Sequence, residues 1–235
     1  MRAITYAFLV LSLAVAPLHA DQKGSKGSGS SQPASRSVGP TAPSAGIRAP
    51  QATNGQAPTP DDIVRAKWPA TIAILQNQGL DQAAKEKEIE RLVSPLIDFP
   101  LMAKLALGKA HWTRLTPSQR ERYVPLFVER IKRSYREKIA LYEGEQILIK
   151  FPPPGTAAKK ARSSRTVHVP IELTTKGRQA IVLHKFRKAN SRWKLYDVEI
   201  EGVSILLTYR SQFNDILRTG TVEDLLLRLE KEPPR

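Results

Sequence analysis

The amino-acid sequence predicts an α+β fold, built from helices and a four-stranded antiparallel sheet. Two observations support this prediction. Apolar residues recur at helical spacing from residue 61 to about residue 140, and they alternate with polar residues at strand spacing between residues 147 and 200. A run of helices followed by a run of strands is typical of α+β rather than of alternating α/β proteins.

Charge and composition limit the possible functions. The 235-residue chain has 37 Lys+Arg against 22 Asp+Glu, a formal net charge of +15, and no cysteine. The lack of cysteine excludes disulfides, thiolate metal sites and cysteine nucleophiles. A positive charge of this size favours nucleic acid, an anionic membrane surface or an acidic partner, and charge alone does not choose among them.

Residues 1–20 have the pattern of a cleaved secretory signal peptide. Arg2 precedes an apolar run from Ala7 to Val15, and Ala20 offers a small residue at the cleavage site. The alternative is an uncleaved anchor, but the apolar run is shorter than the roughly 20 residues that span a bilayer. We therefore expect a soluble mature protein outside the cytoplasm, which argues against a nucleic-acid partner.

Residues 21–60 are predicted to form a disordered tether. Six Gly, six Pro and seven Ser make up 19 of its 40 residues, and it has no aromatic residue. Such a segment buries too little apolar area to offset the entropy of ordering it. The folded domain is expected over residues 61–235, where 32 Lys+Arg against 21 Asp+Glu leave a net charge of +11.

The first two helices of this domain have recognisable start signals. Asp61 or Asp62 is predicted to cap the first, in which Pro69 introduces a kink or marks a second start. Asp81 is predicted to cap the second, which is interrupted near Pro95.

A short apolar turn is predicted from Asp98 to Gly108, and a long helix after it. Thr116 supplies the cap, with Pro at the first helical position and Gln at the third. Pro125 should bend this helix, because proline removes a backbone hydrogen bond. Its apolar stripe contains Tyr123, Phe127, Ile131, Tyr135 and Ile139.

Four strands and two helices complete the predicted fold. Pro170 places the second strand at an edge or at a bulge, because proline cannot donate to a ladder. Ser204 should cap a helix that ends at Gly220, and Thr221 should cap the last helix. The strands are predicted near residues 147–151, 166–173, 180–186 and 193–200.

No motif for catalysis or metal binding stands out. The sequence has no HExxH, GxSxG, P-loop or GxGxxG pattern. His168 and His184 could face each other across two strands, but two ligands make a poor metal site and a surface or structural role is favoured. We therefore predict that the protein is not an enzyme and has no cofactor.

Two separated blocks of sequence resemble a known family. The first runs from Ser94 to Phe99 and continues through Leu107-Gly108, Trp112, Thr116 to Arg120, Phe127 and Tyr135. The second runs from Trp193 to Ser204 and continues through Tyr209 to Phe213 and Gly220. Both are similar to the MlaC-like periplasmic phospholipid-binding proteins, the toluene-tolerance auxiliary family of the Mla lipid-transport system.

This resemblance implies a periplasmic phospholipid carrier. Its fold would enclose an apolar cavity for the acyl chains of a phospholipid cargo. It would shuttle lipid between an outer-membrane lipoprotein complex and an inner-membrane MCE-domain/ABC transporter complex, and so maintain outer-membrane lipid asymmetry. Periodicity alone favours an ordinary core for the apolar stripes, and the resemblance favours a cavity. The residues it implies for lipid binding are Met102, Leu105, Phe127, Ile131, Tyr135, Val167, Val169, Ile171, Tyr209 and Phe213.

The positive charge offers a second set of candidates and leaves alternatives open. Lys159, Lys160 and Arg162 lie in a predicted loop where they could meet headgroup phosphates or an acidic docking surface, although a solvated loop fits equally well. Another envelope lipid, such as a hopanoid, could be the cargo. A basic secreted adaptor that binds anionic envelope polymers is an alternative without a cavity.

Overall fold

The computed structural model describes residues 57–156 and 163–231. The predicted signal peptide, nearly all of the predicted tether and the Lys159, Lys160 and Arg162 cluster lie outside these ranges. Seven α-helices and five strands have their bounds within them, so the fold is α+β as predicted. The helices are α1 Pro60–Gln76, α2 Gln82–Val93, α3 Phe99–Leu107, α4 Lys109–Arg114, α5 Pro117–Ala140, α6 Ile205–Thr219 and α7 Val222–Lys231, and the strands are β1 Ile147–Lys150, β2 Thr166–Thr175, β3 Arg178–Ala189, β4 Arg192–Ile200 and β5 Val203–Ser204.

Side-chain caps start most of these helices at the predicted positions. Asp81 accepts a hydrogen bond from the Ala84 amide at 2.8 Å and so starts α2. Equivalent bonds satisfy amide groups that the first turn of a helix leaves without partners. The predicted caps of α5, α6 and α7 are confirmed at Thr116, Ser204 and Thr221, and Asp98 caps α3 in the same way.

The start of α1 differs from the prediction. Thr59, rather than Asp61 or Asp62, is the cap: its hydroxyl accepts from the Asp62 amide at 3.3 Å, and its own amide donates to the Asp62 carboxylate at 2.9 Å. This reciprocal capping box leaves Pro60 at the first helical position, which needs no amide donor. The helix runs through Pro69 without interruption, so the predicted second start is wrong.

The segment predicted as a short apolar turn is the helix α3. It ends at Gly108, whose φ of +80° is a conformation that favours glycine, and α4 starts directly after it. Arg210 of α6 donates from Nε and Nη2 to the Leu105 carbonyl oxygen, at 3.0 and 2.6 Å. The guanidinium therefore satisfies a carbonyl in the last turn of α3, which is a structural role.

The sheet is an antiparallel meander in the order β1-β2-β3-β4-β5. The predicted strands are present, and the additional strand β5 is two residues long, too short for an alternating pattern to reveal it. Pro170 pairs with Leu183 of β3 but lies beyond the four residues of β2 that pair with β1. It therefore occupies a locally open edge, as expected for a residue that cannot donate to a ladder.

One face of the sheet is buried, and two apolar clusters contribute to its cover. The larger cluster joins the inner residues of β2, β3 and β4 to α3, α5, α6, α7 and the first half of α1. The smaller cluster contains Leu75 of α1, Ile89 of α2, and Tyr135 and Ile139 of α5. The buried apolar residues therefore form two separate clusters.

A buried carboxylate joins the sheet to α6. Asp197 of β4 accepts hydrogen bonds from the Ser204 hydroxyl at 2.8 Å and from the Leu206 amide at 3.2 Å. Lys185 of β3 donates to the same carboxylate at 3.0 Å and pairs with Glu199 at 2.7 Å. The side chain of Asp197 is 5% exposed, so its charge depends on these donors.

Replacing Asp197 with Ala should lower the free energy of unfolding by about 3 kcal/mol, because the partly buried Lys185 loses one of its two carboxylate partners and the start of α6 loses its acceptor. Glu199→Ala is the matched control, since Glu199 pairs with the same lysine but is more exposed, and it should cost about 1 kcal/mol or less. Urea denaturation measures both. Equal effects of the two changes would contradict the assigned role of Asp197.

Candidate functional site

A cavity of about 120 Å³ lies between α1, α2, α5 and the buried face of the sheet. Helix α1 contributes one long wall, and β3 and β4 contribute the floor. The lining residues are Ile63, Val64, Lys67, Trp68, Thr71, Leu75, Ile89, Val93, Leu96, Ile97, Tyr135, Ile139, His184, Phe186, Leu195 and Val198.

The cavity lies where the two apolar clusters meet. Ile63, Val64 and Phe186 in its wall belong to the larger apolar cluster, whereas Leu75 and Ile89 belong to the smaller one. Both clusters thus contribute side chains to the cavity wall. An apolar ligand placed here would join the two clusters into one continuous interior.

A hydrogen bond between Trp68 and His184 fixes the middle of the α1 wall to the sheet. Trp68 Nε1 donates to His184 Nε2 at 2.9 Å, and the two rings meet edge to face with centroids 5.5 Å apart. Because Nε2 accepts, the neutral imidazole carries its proton on Nδ1. Burial lowers the pKa of His184 from 6.5 to about 4, although the backbone of Val169 and Val182 offsets part of this shift. The imidazole is therefore neutral at pH 7.

Lys67 is the charged member of an otherwise uncharged lining among the described residues. It is half-buried, one position before Trp68 on α1. Thr71 adds a hydroxyl, which donates to the Lys67 carbonyl oxygen at 2.9 Å. A lysine in this position can cover apolar surface with its methylene stem and keep its ammonium group near water.

Tyr135 closes the cavity where α5 meets α2. Burial raises the pKa of its phenol, and the neighbouring Glu90 carboxylate raises it further. Glu90 itself pairs with Lys132 at 2.6 Å, and this contact lowers the pKa of the carboxyl group. The tyrosine is therefore a neutral, largely apolar wall at neutral pH.

Of the ten residues predicted to bind lipid, Tyr135 lies in the cavity wall. Leu105 is half-buried, and the other eight are buried in the larger cluster. Phe127, Tyr209 and Phe213 form an aromatic group with Tyr123, with ring centroids 5.4 to 6.2 Å apart. The structure thus brings most of the predicted residues together in the core beside the cavity. Lys159, Lys160 and Arg162 lie outside the described residues.

The described residues offer no cluster of three or more His, Cys, Asp or Glu that could hold a metal ion. Strand register pairs His168 with Lys185 and His184 with Val169, so the two imidazoles lie on opposite faces of the sheet. The cross-strand histidine pair considered from the sequence is therefore excluded. In the same part of the chain, no helix is both long and apolar enough to cross a bilayer.

Most of the described part of the chain matches the model of a known protein family. Residues 68–231 match the family model described as "MlaC protein". The chain belongs to the MlaC family. This match confirms the resemblance seen in the two sequence blocks.

A solved structure from Ralstonia solanacearum has a similar fold. It is a phospholipid-binding protein in complex with a phospholipid, and it superposes with a TM-score of 0.60 at 22% sequence identity. The match covers 73% of this chain and 94% of that chain. At 22% sequence identity, this likeness shows that the two proteins share a fold.

Sequence reasoning missed the contribution of α1 to the cavity. Val64, Trp68 and Leu75 recur at helical spacing, yet nothing in that spacing distinguishes a cavity wall from an ordinary core contact. The residues that carry the family resemblance begin only at Ser94. The strand period could have revealed His184 as an inward residue. It lies two residues from both Val182 and Phe186 on β3 and therefore shares their face of the sheet.

Stability should fall as the pH drops from 6.5 to 4, because unfolded His184 binds a proton that the folded protein excludes. The full contribution is present above pH 6.5, and about 3 kcal/mol is lost by pH 4. His184→Gln keeps an acceptor for Trp68 but cannot titrate, so its urea midpoint should fall less over this range.

His111→Gln is the control for this measurement. His111 lies outside the cavity lining and contacts Asn214 at 3.1 Å. This variant should show the same pH dependence as the parent. An unchanged pH dependence in His184→Gln would contradict a neutral, buried His184.

Proposed function

We propose that this MlaC-family protein is a periplasmic phospholipid carrier that holds acyl chains in the cavity beneath α1. The observation that carries the proposal is an apolar cavity between two separate clusters, in a chain whose family and fold include a phospholipid-bound relative. Each buried methylene stabilises the complex by about 0.8 kcal/mol, so a continuous apolar wall is the main requirement. No covalent chemistry is needed, and the protein is not an enzyme in this proposal.

The cavity must widen to admit a lipid. Its volume of about 120 Å³ is below the ~300–1,000 Å³ that is usual for ligand pockets. Helix α1 has Ile63 and Val64 in the larger cluster and Leu75 in the smaller one, so widening by a movement of α1 breaks some of its own contacts but leaves the other members of each cluster packed. Among the residues implied by the resemblance, Tyr135 meets the ligand first, and the aromatic group of Phe127, Tyr209 and Phe213 supports the wall behind it.

Helix α1 is the movable wall in this proposal. Among the described residues, three hydrogen bonds connect it to the rest of the domain: the Trp68–His184 bond, a bond from Arg65 to the Pro152 carbonyl, and one from the Gly155 amide to Asp61. Pro69, in the middle of the helix, cannot donate a backbone hydrogen bond and so weakens it locally. A shift of α1 can thus proceed while the aromatic core stays packed.

We also propose a wider organisation. In it residues 1–20 direct export, residues 21–60 serve as a tether, and the domain from residue 61 carries the lipid. We propose that it exchanges phospholipid with an inner-membrane MCE-domain/ABC transporter complex and with an outer-membrane lipoprotein complex, which maintains outer-membrane lipid asymmetry. The direction of transfer is then set by relative affinities for the cargo.

Native mass spectrometry of the purified protein should show one phospholipid per chain without added lipid. Val93→Phe should reduce this occupancy strongly, because Val93 is half-buried in the cavity wall and a larger ring fills the space. Extraction and lipid analysis identify the cargo and would reveal a hopanoid in its place.

Val124→Phe is the matched control. Val124 is also a half-buried helical valine, but it packs against the core away from the cavity lining. Its lipid occupancy should equal that of the parent. A parent protein that shows only its polypeptide mass would contradict the carrier function, and equal occupancy in both variants would contradict this cavity as the site.

Lys67→Gln should weaken binding of a fluorescent phosphatidylglycerol about fivefold, because the ammonium group at the cavity is placed to attract the phosphate. Lys87→Gln removes the same charge from an exposed position on α2 and should leave the affinity unchanged. Equal affinities for the parent and Lys67→Gln would remove Lys67 from the headgroup site.

A further inference from the structure

One end of the sheet carries an unusual concentration of positive charge. Strand register brings the start of β2, the end of β3 and the start of β4 together there: the Lys188 amide donates to the Arg165 carbonyl at 2.9 Å, and Ala189 pairs with Arg192. From Phe186 to Tyr196 the sequence has four cations and no acidic residue. We call this surface the basic strand end, and it comprises Arg165, Arg187, Lys188, Arg192 and Lys194.

Two of these cations lie directly opposite each other. Arg187 of β3 pairs in register with Lys194 of β4, an arrangement that destabilises a sheet by charge repulsion. Asp98 offsets part of the repulsion, because its carboxylate accepts from Arg187 at 2.7 Å, while Lys194 donates to the Pro95 carbonyl. The fold thus retains a like-charge pair that stability alone does not favour.

The other three cations are exposed. Arg165, Lys188 and Arg192 point to solvent, and none has a carboxylate partner among the described residues. Lys188 and Arg192 flank the tight turn at Asn190 and Ser191, both of which have positive φ. Among the described residues, no carboxylate therefore neutralises the cations at the tip of this hairpin.

The opposite end of the sheet is different. There Lys176 is paired with Glu143 and Glu145, at 3.7 and 2.9 Å, and the charges are mixed. The exposed large apolar side chains of the sheet also lie toward that end, namely Leu148, Ile181 and Val203. Charge and exposed apolar surface are thus separated along the strands.

We propose that the basic strand end docks onto an anionic membrane surface. A protein partner usually needs an apolar interface core, and this end exposes no large apolar side chain among the described residues. A plane of lipid phosphates needs only long, unpaired cations, each of which contributes about a fivefold gain in affinity. The surface adjoins the cavity, because Phe186 and Leu195 of the lining are the immediate neighbours of Arg187 and Lys194. Docking would therefore bring one end of the cavity toward the bilayer, and the docking itself does not depend on a bound lipid.

Vesicle cosedimentation of the full mature chain tests the proposal. The parent should bind phosphatidylcholine vesicles that contain one-third phosphatidylglycerol, at about 0.1 M salt, and lose most of this binding at about 0.5 M. It should bind pure phosphatidylcholine vesicles weakly. The triple variant Arg165→Gln, Lys188→Gln, Arg192→Gln should bind the anionic vesicles roughly 100-fold more weakly.

A second triple variant, Lys87→Gln, Lys109→Gln, Arg114→Gln, removes the same charge from exposed positions on α2 and α4 and should bind as the parent does. Native mass spectrometry should find the same lipid occupancy in both variants, which separates docking from carriage. Equal losses of vesicle binding in the two variants would overturn the proposal, because net charge rather than the position of the cations would then determine binding. No binding of the parent to anionic vesicles would also overturn it, and would assign the surface to an acidic protein.

Discussion

One constraint governs this structure: the apolar face of a five-stranded sheet must be covered, and the buried side chains that cover it form two packing groups, to both of which α1 and α5 contribute. The larger group fixes β2, β3 and β4 through a dense aromatic core. The smaller group joins the end of α1 to α2 and α5. A cavity is lined by residues of both groups. The position of α1 therefore decides how much space a ligand finds.

Polar contacts hold α1 where apolar packing is interrupted. The Trp68–His184 hydrogen bond lies at the cavity itself and connects the helix to β3. Such a bond is directional and contributes only about 0.5–1.5 kcal/mol net, so it can define the closed position of α1 without preventing its movement. The depressed pKa of His184 keeps the imidazole neutral and therefore able to accept from Trp68 at neutral pH.

Much of the fold could be predicted from the sequence, because its determinants are local. Caps such as Asp81 and Thr116 and the alternation of β2 act within a few residues. Helix α3 could not be predicted because an apolar segment of nine residues does not reveal a helical period. Strand β5 could not be predicted because two residues are too few to show an alternating pattern. The cavity residues could not be separated from the core, since a helical stripe records which face is buried but not what faces it across the interior.

The recognisable stretch from Trp193 to Ser204 identifies the fold more directly than the ligand. Asp197 and Ser204 within it connect β4 to α6, and two of its residues, Leu195 and Val198, reach the cavity. The family match begins at residue 68, so the first half of α1 precedes it. Ile63, Val64 and Lys67 lie in that half and line the cavity, including its charged position. In the proposed carrier the first half of α1 therefore supplies the charged position of the cavity, whereas the sheet and its junction with α6 form the framework on which the cavity is built.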